Sequence, residues 1–318
     1  PPGASVFSRV CLLRQFVTRG EYFFPVEAGP EWHHHENIQC SSYDLEFPPW
    51  ASTPDREFEM QDACPWIFGE FVWTGFDYLG EPTPYNAHWP AHASYFGIFD
   101  LVGLPKDRAW LYAARWSGKP VLHLLPHWTW PGREGEVTPV FVYTNYPTAE
   151  LFINGKSYGK QSKNNSSLKN RYRLMWMDAV YEPGEVKVVA YNKDGKAVAE
   201  KVVRTAGKPH HIELVSNRNE LTADGKDLAY VTVKVVDKDG NLCPTDNRQI
   251  NFSAKGTGKY RAAANGDPTN LEQFHLPKMH AFNGMLTAII QAGETAGEIV
   301  FTAKANGVKA GNIRIQTK

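Results

Sequence analysis

Apolar and polar residues alternate along several short stretches in the second half of the chain. Val231, Val233 and Val235 are separated by Thr232 and Lys234. Successive side chains of a strand point to opposite faces of a sheet, so this alternation predicts a strand with one buried face and one wet face. Helix-like periodicity is absent from this half of the sequence, which predicts a region built from strands.

Two series of such stretches predict two β-sandwiches of the immunoglobulin-like (Ig-like) type. The first series includes Asn154-Gly155, a strong two-residue hairpin signal. Its predicted strands cover 121–125, 137–143, 150–153 and 186–191. The second series covers 211–214, 228–236, 249–253, 285–291 and 297–303. Short strands at this spacing are typical of sandwiches, so we predict one over 119–207 and another over 208–318.

Residues 1–118 follow a different pattern, in which helix-like and strand-like stretches alternate. Helices are predicted over 55–64 and over 105–116, with a proline at the start of the second. Between them, 67–73 predicts a buried strand that ends at Gly and Pro residues. A (β/α)8 barrel needs roughly 200 residues or more, so about two of its units fit here at most. The predicted fold is mainly β and multidomain: a partial (β/α)8 barrel remnant followed by two Ig-like β-sandwiches.

Composition and charge exclude several kinds of partner. Lys+Arg and Asp+Glu each number 34 among the 318 residues, so the formal net charge is zero and nucleic-acid binding is not expected. No run of 18 apolar residues occurs, so no membrane span is expected. The four Cys residues form no CxxC pair, which favours free thiols over a disulfide framework. Nine of the ten Trp residues fall between residues 32 and 130, which sets the first part of the chain apart chemically.

The segment 69–85 begins within the predicted buried strand at 67–73 and continues past its end, and it combines aromatic, acidic and glycine residues. In a barrel enzyme the substrate is held where such strands emerge. Trp73 can stack on the apolar face of a sugar ring, and Asp77 and Glu81 can accept hydrogen bonds from its hydroxyl groups, so we predict these three as substrate-binding residues. The opposing interpretation is structural, because a Trp at a strand end often packs at a core rim and Asp in a Gly-rich stretch often forms a turn.

Candidate catalytic and metal-binding residues are sparse. Three consecutive His at 33–35 suggest a metal, but adjacent residues point in different directions, so a loop rim is favoured and no metal site is predicted. Glu70, Asp77 and Glu81 are candidates by proximity for the carboxylate pair that glycoside hydrolysis requires, but the sequence selects no pair among them. No Gly-x-Ser-x-Gly elbow and no Gly-rich phosphate loop occurs, so serine-type hydrolysis is unsupported and no cofactor is predicted.

Several long stretches carry motifs in an order that one enzyme family shares. In the first part of the chain they are RGEYFFP (19–25), SSYD (41–44), GEFVWTGFDYLGEPTPY (69–85), YFGIFDLVGLPKD (95–107), HLLPHW (123–128) and GREG (132–135). In the second part they are LFINGK (151–156), LTADGKD (221–227) and NGDP (265–268). This ordered set resembles the end of the catalytic barrel and the following Ig-like domains of glycoside hydrolase family 2, in particular the β-galactosidases of gut Bacteroidetes.

The resemblance implies a retaining glycosidase that hydrolyses terminal β-linked sugars with one Glu as acid/base and another as nucleophile. It also implies that 67–73 is the eighth barrel strand, that Trp73 forms part of the sugar subsite and that Asp77 fixes the subsite by hydrogen bonds. In the family, the two Glu belong to an Asn-Glu motif on an earlier strand and a Ser-Glu motif upstream of Arg19. Residues 1–20 contain no Asp or Glu, so no catalytic residue is assigned and the chain alone is expected to be inactive.

The expected partner is a β-linked oligosaccharide or glycoside, and homo-oligomer formation is left open. The chain begins with Pro-Pro, and we interpret it as a fragment or processed piece of a periplasmic or extracellular bacterial protein whose signal is not in this chain. One alternative is a non-catalytic Ig-like module that binds carbohydrate or a partner, and another is a purely structural fragment. Residues 208–318 contain no Trp, which disfavours sugar binding by the last predicted domain.

Overall fold

The computed structural model describes residues 53–67, 69–82 and 85–318. The chain forms two compact units, Pro1–Val203 and Arg204–Lys318. Strands predominate in the described residues, which confirms the mainly β class. Within the same residues, no helix is both long and apolar enough to cross a membrane. Cys64 and Cys243 are free thiols, and the other two Cys residues lie outside the described ranges.

The described part of the first unit has three helices, α1 (Pro54–Ala63), α2 (Asp107–Trp116) and α3 (Leu168–Tyr172). Helix α1 begins with Pro54, whose missing N–H group costs no hydrogen bond in the first turn. The same turn contains Asp55 and Glu57, and negative charges there interact favourably with the helix dipole. Helix α2 buries Leu111 and Tyr112 on one face. These helices confirm the two predicted over 55–64 and 105–116, with small shifts at their ends.

The strands of the first unit form two antiparallel sheets that enclose a core. They are β1 (Leu122–Leu125), β2 (Val140–Thr144), β3 (Thr148–Ile153), β4 (Lys156–Ser162), β5 (Leu174–Trp176), β6 (Glu185–Tyr191) and β7 (Ala197–Arg204). Their order is β1-β2-β5 in one sheet and β4-β3-β6-β7 in the other. Leu151 of β3 and Val188 of β6 point into this core, where they meet Trp128 and Trp176. The first predicted sandwich therefore exists as a pair of stacked sheets.

A second apolar cluster lies on the other face of the β1-β2-β5 sheet. Phe58 of α1 and Leu111 of α2 pack there with Phe141 and Tyr143 of β2. All five residues of β2 are buried as a result, because the sheet is covered on both faces. Helices α1 and α2 are thus joined to the sandwich in one unit, and the predicted boundary between residues 118 and 119 stays a prediction.

The second unit is a two-sheet structure with its own core. Its strands are β8 (His211–Ser216), β9 (Glu220–Leu221), β10 (Leu228–Val236), β11 (Gln249–Gly256), β12 (Gly258–Ala264), β13 (Lys278–His280), β14 (Met285–Ala292), β15 (Gly297–Lys304) and β16 (Gly311–Thr317). The sheet orders are β12-β14-β10-β8 and β13-β11-β15-β16-β9, antiparallel except for the β16–β9 pair. Val231, Val233 and Val235 are buried, as the alternation predicts. The predicted boundary at 207/208 stays a prediction.

The strand predicted over 67–73 is wrong for the residues that the structure describes there. Residues 69–73 form no paired strand, and the nearest pairing consists of isolated bridges at Phe76 and Leu79. An apolar run becomes a strand only when neighbouring strands accept and donate its backbone hydrogen bonds. The described residues supply no such neighbours on either side of this run. The partial barrel therefore stays a prediction.

Candidate functional site

The segment that carries the predicted sugar-binding residues is held by backbone hydrogen bonds to a later segment. The N–H of Asp77 donates to the carbonyl of Phe99 (2.9 Å), and the N–H of Phe99 donates to the carbonyl of Gly75 (2.9 Å). One residue further on, the N–H of Ser94 donates to the carbonyl of Tyr78 (2.8 Å). Residues 74–78 therefore have a defined backbone path although they form no regular strand.

Within this segment, Asp77 is buried, with only 7% of its surface exposed. Its Oδ1 accepts from the N–H of Gly97 (2.7 Å) and from Ser94 Oγ (3.4 Å), and its Oδ2 pairs with Lys106 Nζ (2.7 Å). Burial raises the pKa of the Asp77 carboxyl, and the Lys106 ammonium and the other donors oppose that rise. The carboxylate is engaged with protein donors, so its geometry is that of an internal anchor. Direct hydrogen bonding of Asp77 to sugar stays a prediction.

Trp73 and Glu81 lie at the surface and are connected through Tyr78, which the sequence reasoning missed. Trp73 is 46% exposed and meets the Tyr78 ring edge-on, with centroids 6.4 Å apart. The Tyr78 hydroxyl donates to a Glu81 carboxylate oxygen. Burial and this hydrogen bond to Glu81 raise the pKa of Tyr78 to about 12. We call these three residues the Trp73 surface, and it offers a ring face, a hydroxyl and a carboxylate.

Other large apolar side chains between residues 66 and 89 are also exposed. They include Trp66, Phe71, Phe76 and Trp89. Exposed apolar groups mark a binding or packing surface where they adjoin one another. Residues 66–89 are therefore a candidate region for contact with a ligand or with other protein.

The three candidate carboxylates have separate partners. Glu70 accepts a hydrogen bond from Gln61 of α1, Asp77 pairs with Lys106, and Glu81 accepts from Tyr78. Burial and the charge of nearby Glu57 raise the pKa of Glu70 to about 7. Each acid is thus engaged locally, and no acid/base pair is assigned among them.

The described residues offer no metal centre. Among them, no three or more His, Cys, Asp or Glu side chains are grouped so that they could hold a metal ion. The His run at 33–35 lies outside the described ranges.

These features define a mainly β, two-unit protein with an exposed aromatic and acidic segment ahead of its first sandwich. Two family descriptions match it: Glycoside hydrolase family 2 C-terminal domain 5 over residues 212–314, and a domain of unknown function, DUF4982, over residues 135–199. The first of these descriptions covers most of the second unit, and the other covers most of the first sandwich.

Similar proteins extend the match over nearly the whole chain. Beta-galactosidase BoGH2A of Bacteroides ovatus is 41% identical over 310 residues, which is 95% of this chain and 35% of that protein. A putative beta-glucuronidase of Formosa agariphila is 33% identical over 79% of this chain and 24% of its own length. The crystal structure of a beta-glycosidase from Bacteroides vulgatus superposes with a TM-score of 0.77 at 30% identity, over 96% of this chain and 39% of that chain.

The chain belongs to glycoside hydrolase family 2 and corresponds to the C-terminal part of its members. It spans about a third or less of the length of the two curated relatives named above. A glycosyl hydrolase family 2 member from Bacteroides cellulosilyticus supports the same assignment, with a TM-score of 0.74 at 29% identity over 82% of this chain and 37% of that chain.

Proposed function

We propose that this chain is the C-terminal portion of a retaining β-galactosidase or related β-glycosidase, and that residues 1–118 belong to its catalytic barrel domain. In this proposal the Trp73 surface forms part of the wall that receives a terminal β-linked sugar. The observation that carries it is the Trp73 surface itself, an exposed aromatic ring beside a hydroxyl and a carboxylate on a firmly held backbone. Rings of this kind stack on apolar faces, while the oxygen atoms bind hydroxyl groups.

The charge of the surface favours a neutral sugar over a uronate. Glu81 is exposed and brings a negative charge, and the nearby Lys106 ammonium is paired with the buried Asp77 carboxylate. A glucuronide carboxylate would meet a like charge here, whereas a galactoside would offer neutral hydroxyl groups. Relatives of both names exist, and this argument favours β-galactoside as the substrate class.

Binding of methyl β-D-galactopyranoside, followed by saturation-transfer NMR, tests the sugar site. We expect the chain to bind it weakly, Trp73→Ala to reduce binding about tenfold, and methyl β-D-glucuronide to bind less well. Tyr230→Ala is the control, since Tyr230 is an aromatic residue that is 46% exposed and lies on β10 of the second unit. Equal loss in both variants, or no loss in Trp73→Ala, would contradict the proposal.

Hydrolysis of nitrophenyl β-galactoside tests the absence of catalysis. Residues 1–20 carry no acid, so we propose that the chain alone supplies neither the acid/base nor the nucleophile. We expect no turnover above that of the Trp73→Ala variant. Turnover clearly above that control would show that a catalytic pair exists within these 318 residues.

A further inference from the structure

We propose that Lys106 is a positioning residue: by pairing with the buried Asp77 carboxylate, its ammonium group holds the Trp73 surface in the form that receives a sugar. The role of this pairing in sugar binding rests on the function proposed above. The ordering of residues 73–78 by Lys106 rests on contacts within the first unit and can be tested without any sugar.

Lys106 connects three parts of the chain. Its Nζ pairs with Asp77 Oδ2 (2.7 Å) and donates to the carbonyl of Tyr95 (2.8 Å). Its backbone N–H donates to the carbonyl of Ile98 (3.0 Å). Lys106 also occupies the N-cap position of α2, where its backbone is extended. One residue therefore ties the Asp77 segment and the 95–98 segment to a helix that packs on the sandwich.

The contact between the two segments is too close for any side chain at Gly97. A Cβ on this residue would lie 2.2 Å from the N of Asp77 and 2.4 Å from the carbonyl carbon of Phe76. The Gly97 N–H instead reaches Asp77 Oδ1 at 2.7 Å. The Asp77 carboxylate is thus fixed on one oxygen by the backbone and on the other by Lys106.

Removal of the Lys106 charge leaves this carboxylate buried without its cation. Such a group either takes up a proton or turns toward water, and both outcomes weaken the contacts that fixed it. Tyr78 follows Asp77 directly, and Trp73 contacts Tyr78 edge-on. A displaced Asp77 therefore displaces both aromatic members of the Trp73 surface.

Amide hydrogen exchange on the full chain tests the structural part. In Lys106→Met we expect at least tenfold faster exchange at the amides of Asp77, Gly97 and Ser94, with β2 unchanged as the internal reference. Lys106→Arg should restore most of the protection, because a cation is again available to the carboxylate. Lys169→Met, at a helical position away from this cluster, is the matched control. Unchanged protection in Lys106→Met would overturn the proposal.

A second variant keeps the test decisive if Lys106→Met loosens the whole unit. Asp77→Asn removes the buried charge, so Lys106→Met should cost much less protection in the Asp77→Asn background than in the wild type. An equal cost in both backgrounds would show that Lys106 acts independently of Asp77 and would overturn the inference.

Titration with methyl β-D-galactopyranoside links the ordering to the sugar site. We expect about a tenfold weaker affinity in Lys106→Met and recovery in Lys106→Arg. Lost protection together with an unchanged affinity would overturn the positioning role. Should the wild type bind no galactoside while the exchange results hold, the ordering by Lys106 is supported and the proposed sugar-binding function is refuted.

Discussion

The ionisation of a single residue, Glu70, makes the stability of the first unit depend on pH. Burial and the neighbouring Glu57 charge raise the pKa of Glu70 to about 7, from an ordinary value of 4.5. Between these two values the folded chain binds more protons at Glu70 than the unfolded chain does. The stability contributed by this group is therefore complete below about pH 4.5 and is lost as the pH rises through about 7.

We predict that Glu70→Gln flattens this pH dependence, because glutamine keeps the shape of the protonated acid and cannot ionise. The wild-type first unit should be less stable at pH 8 than at pH 5, and the variant should exceed it at pH 8. Urea unfolding at the two pH values measures this, with exposed Glu134→Gln as the control. Parallel pH profiles for wild type and Glu70→Gln would contradict the prediction.

In the second unit, Asp237 gives stability the opposite dependence on pH. Burial alone raises the pKa of its carboxyl, but hydrogen bonds from the Asn241 side chain and from three backbone N–H groups outweigh burial and lower it to about 2. A lowered pKa means that this contribution to stability is present above about pH 4 and is lost as the pH falls toward 2.

Asp237→Asn is therefore expected to destabilise the second unit by about 1–3 kcal/mol at pH 7, since the amide presents an N–H₂ group to donors that need an acceptor. The variant should also lose less stability than the wild type between pH 4 and pH 2. Urea unfolding measures both effects. Asp239→Asn, on the exposed side of the same turn, should be nearly neutral.

At the scale of elements, α1 is joined to the sandwich by a buried ion pair. Asp55 in the first turn of α1 pairs with Arg173, which directly follows α3, and both side chains are almost fully buried. On the exposed side of the same contact, Asp62 of α1 pairs with Arg171 at 3.0 Å. The two pairs use the same kinds of group, so their different burial should decide their energies.

We predict that Arg173→Met costs about 3–5 kcal/mol of unfolding free energy in the first unit, because it removes the cation that pairs with the buried Asp55 carboxylate. Arg171→Met, the exposed counterpart, should cost about 0–1 kcal/mol. Adding Asp55→Asn to Arg173→Met should recover part of the loss. Guanidinium unfolding provides the comparison, and similar costs for the two Arg variants would be inconsistent with this account.

At the scale of the molecule, each compact unit has a core of its own. The second unit encloses a cluster that includes Val233, Ile250, Leu286 and Phe301. All of its strand pairings join strands within residues 204–318. A unit with a closed core and internally paired strands has what it needs to fold by itself.

Residues 204–318 expressed alone should therefore unfold cooperatively, as a small two-state domain does. Their melting temperature should match one of the transitions that calorimetry resolves in the full chain. The matched comparison is Val233→Ala, which should lower that transition in both the full chain and the fragment. A fragment without a cooperative transition would show that the first unit is required for folding.

The sequence predicted local structure well and pairing poorly. Helices α1 and α2 and the strands with alternating valines follow from patterns of a few neighbouring residues. The sequence did not predict several strands, because they are short, mostly polar or rich in small residues: β4, β5, β7, β9, β12, β13 and β16. The strand predicted over 67–73 was wrong, because the apolar character of a segment does not by itself supply neighbouring strands to pair with it.

The sequence by itself determined the mainly β class, the buried face of the strand at 228–236 and the family, since these depend on the local order of residues. It also identified Trp73, Asp77 and Glu81 as a group of interest. The tertiary structure decided which charges meet. Arg173 and Asp55 are 118 residues apart in the chain, and Lys106 reaches Asp77 from the start of another helix. Such pairs form because folding brings distant segments together and removes water around them. A pattern of neighbouring residues in the sequence contains no information about these contacts.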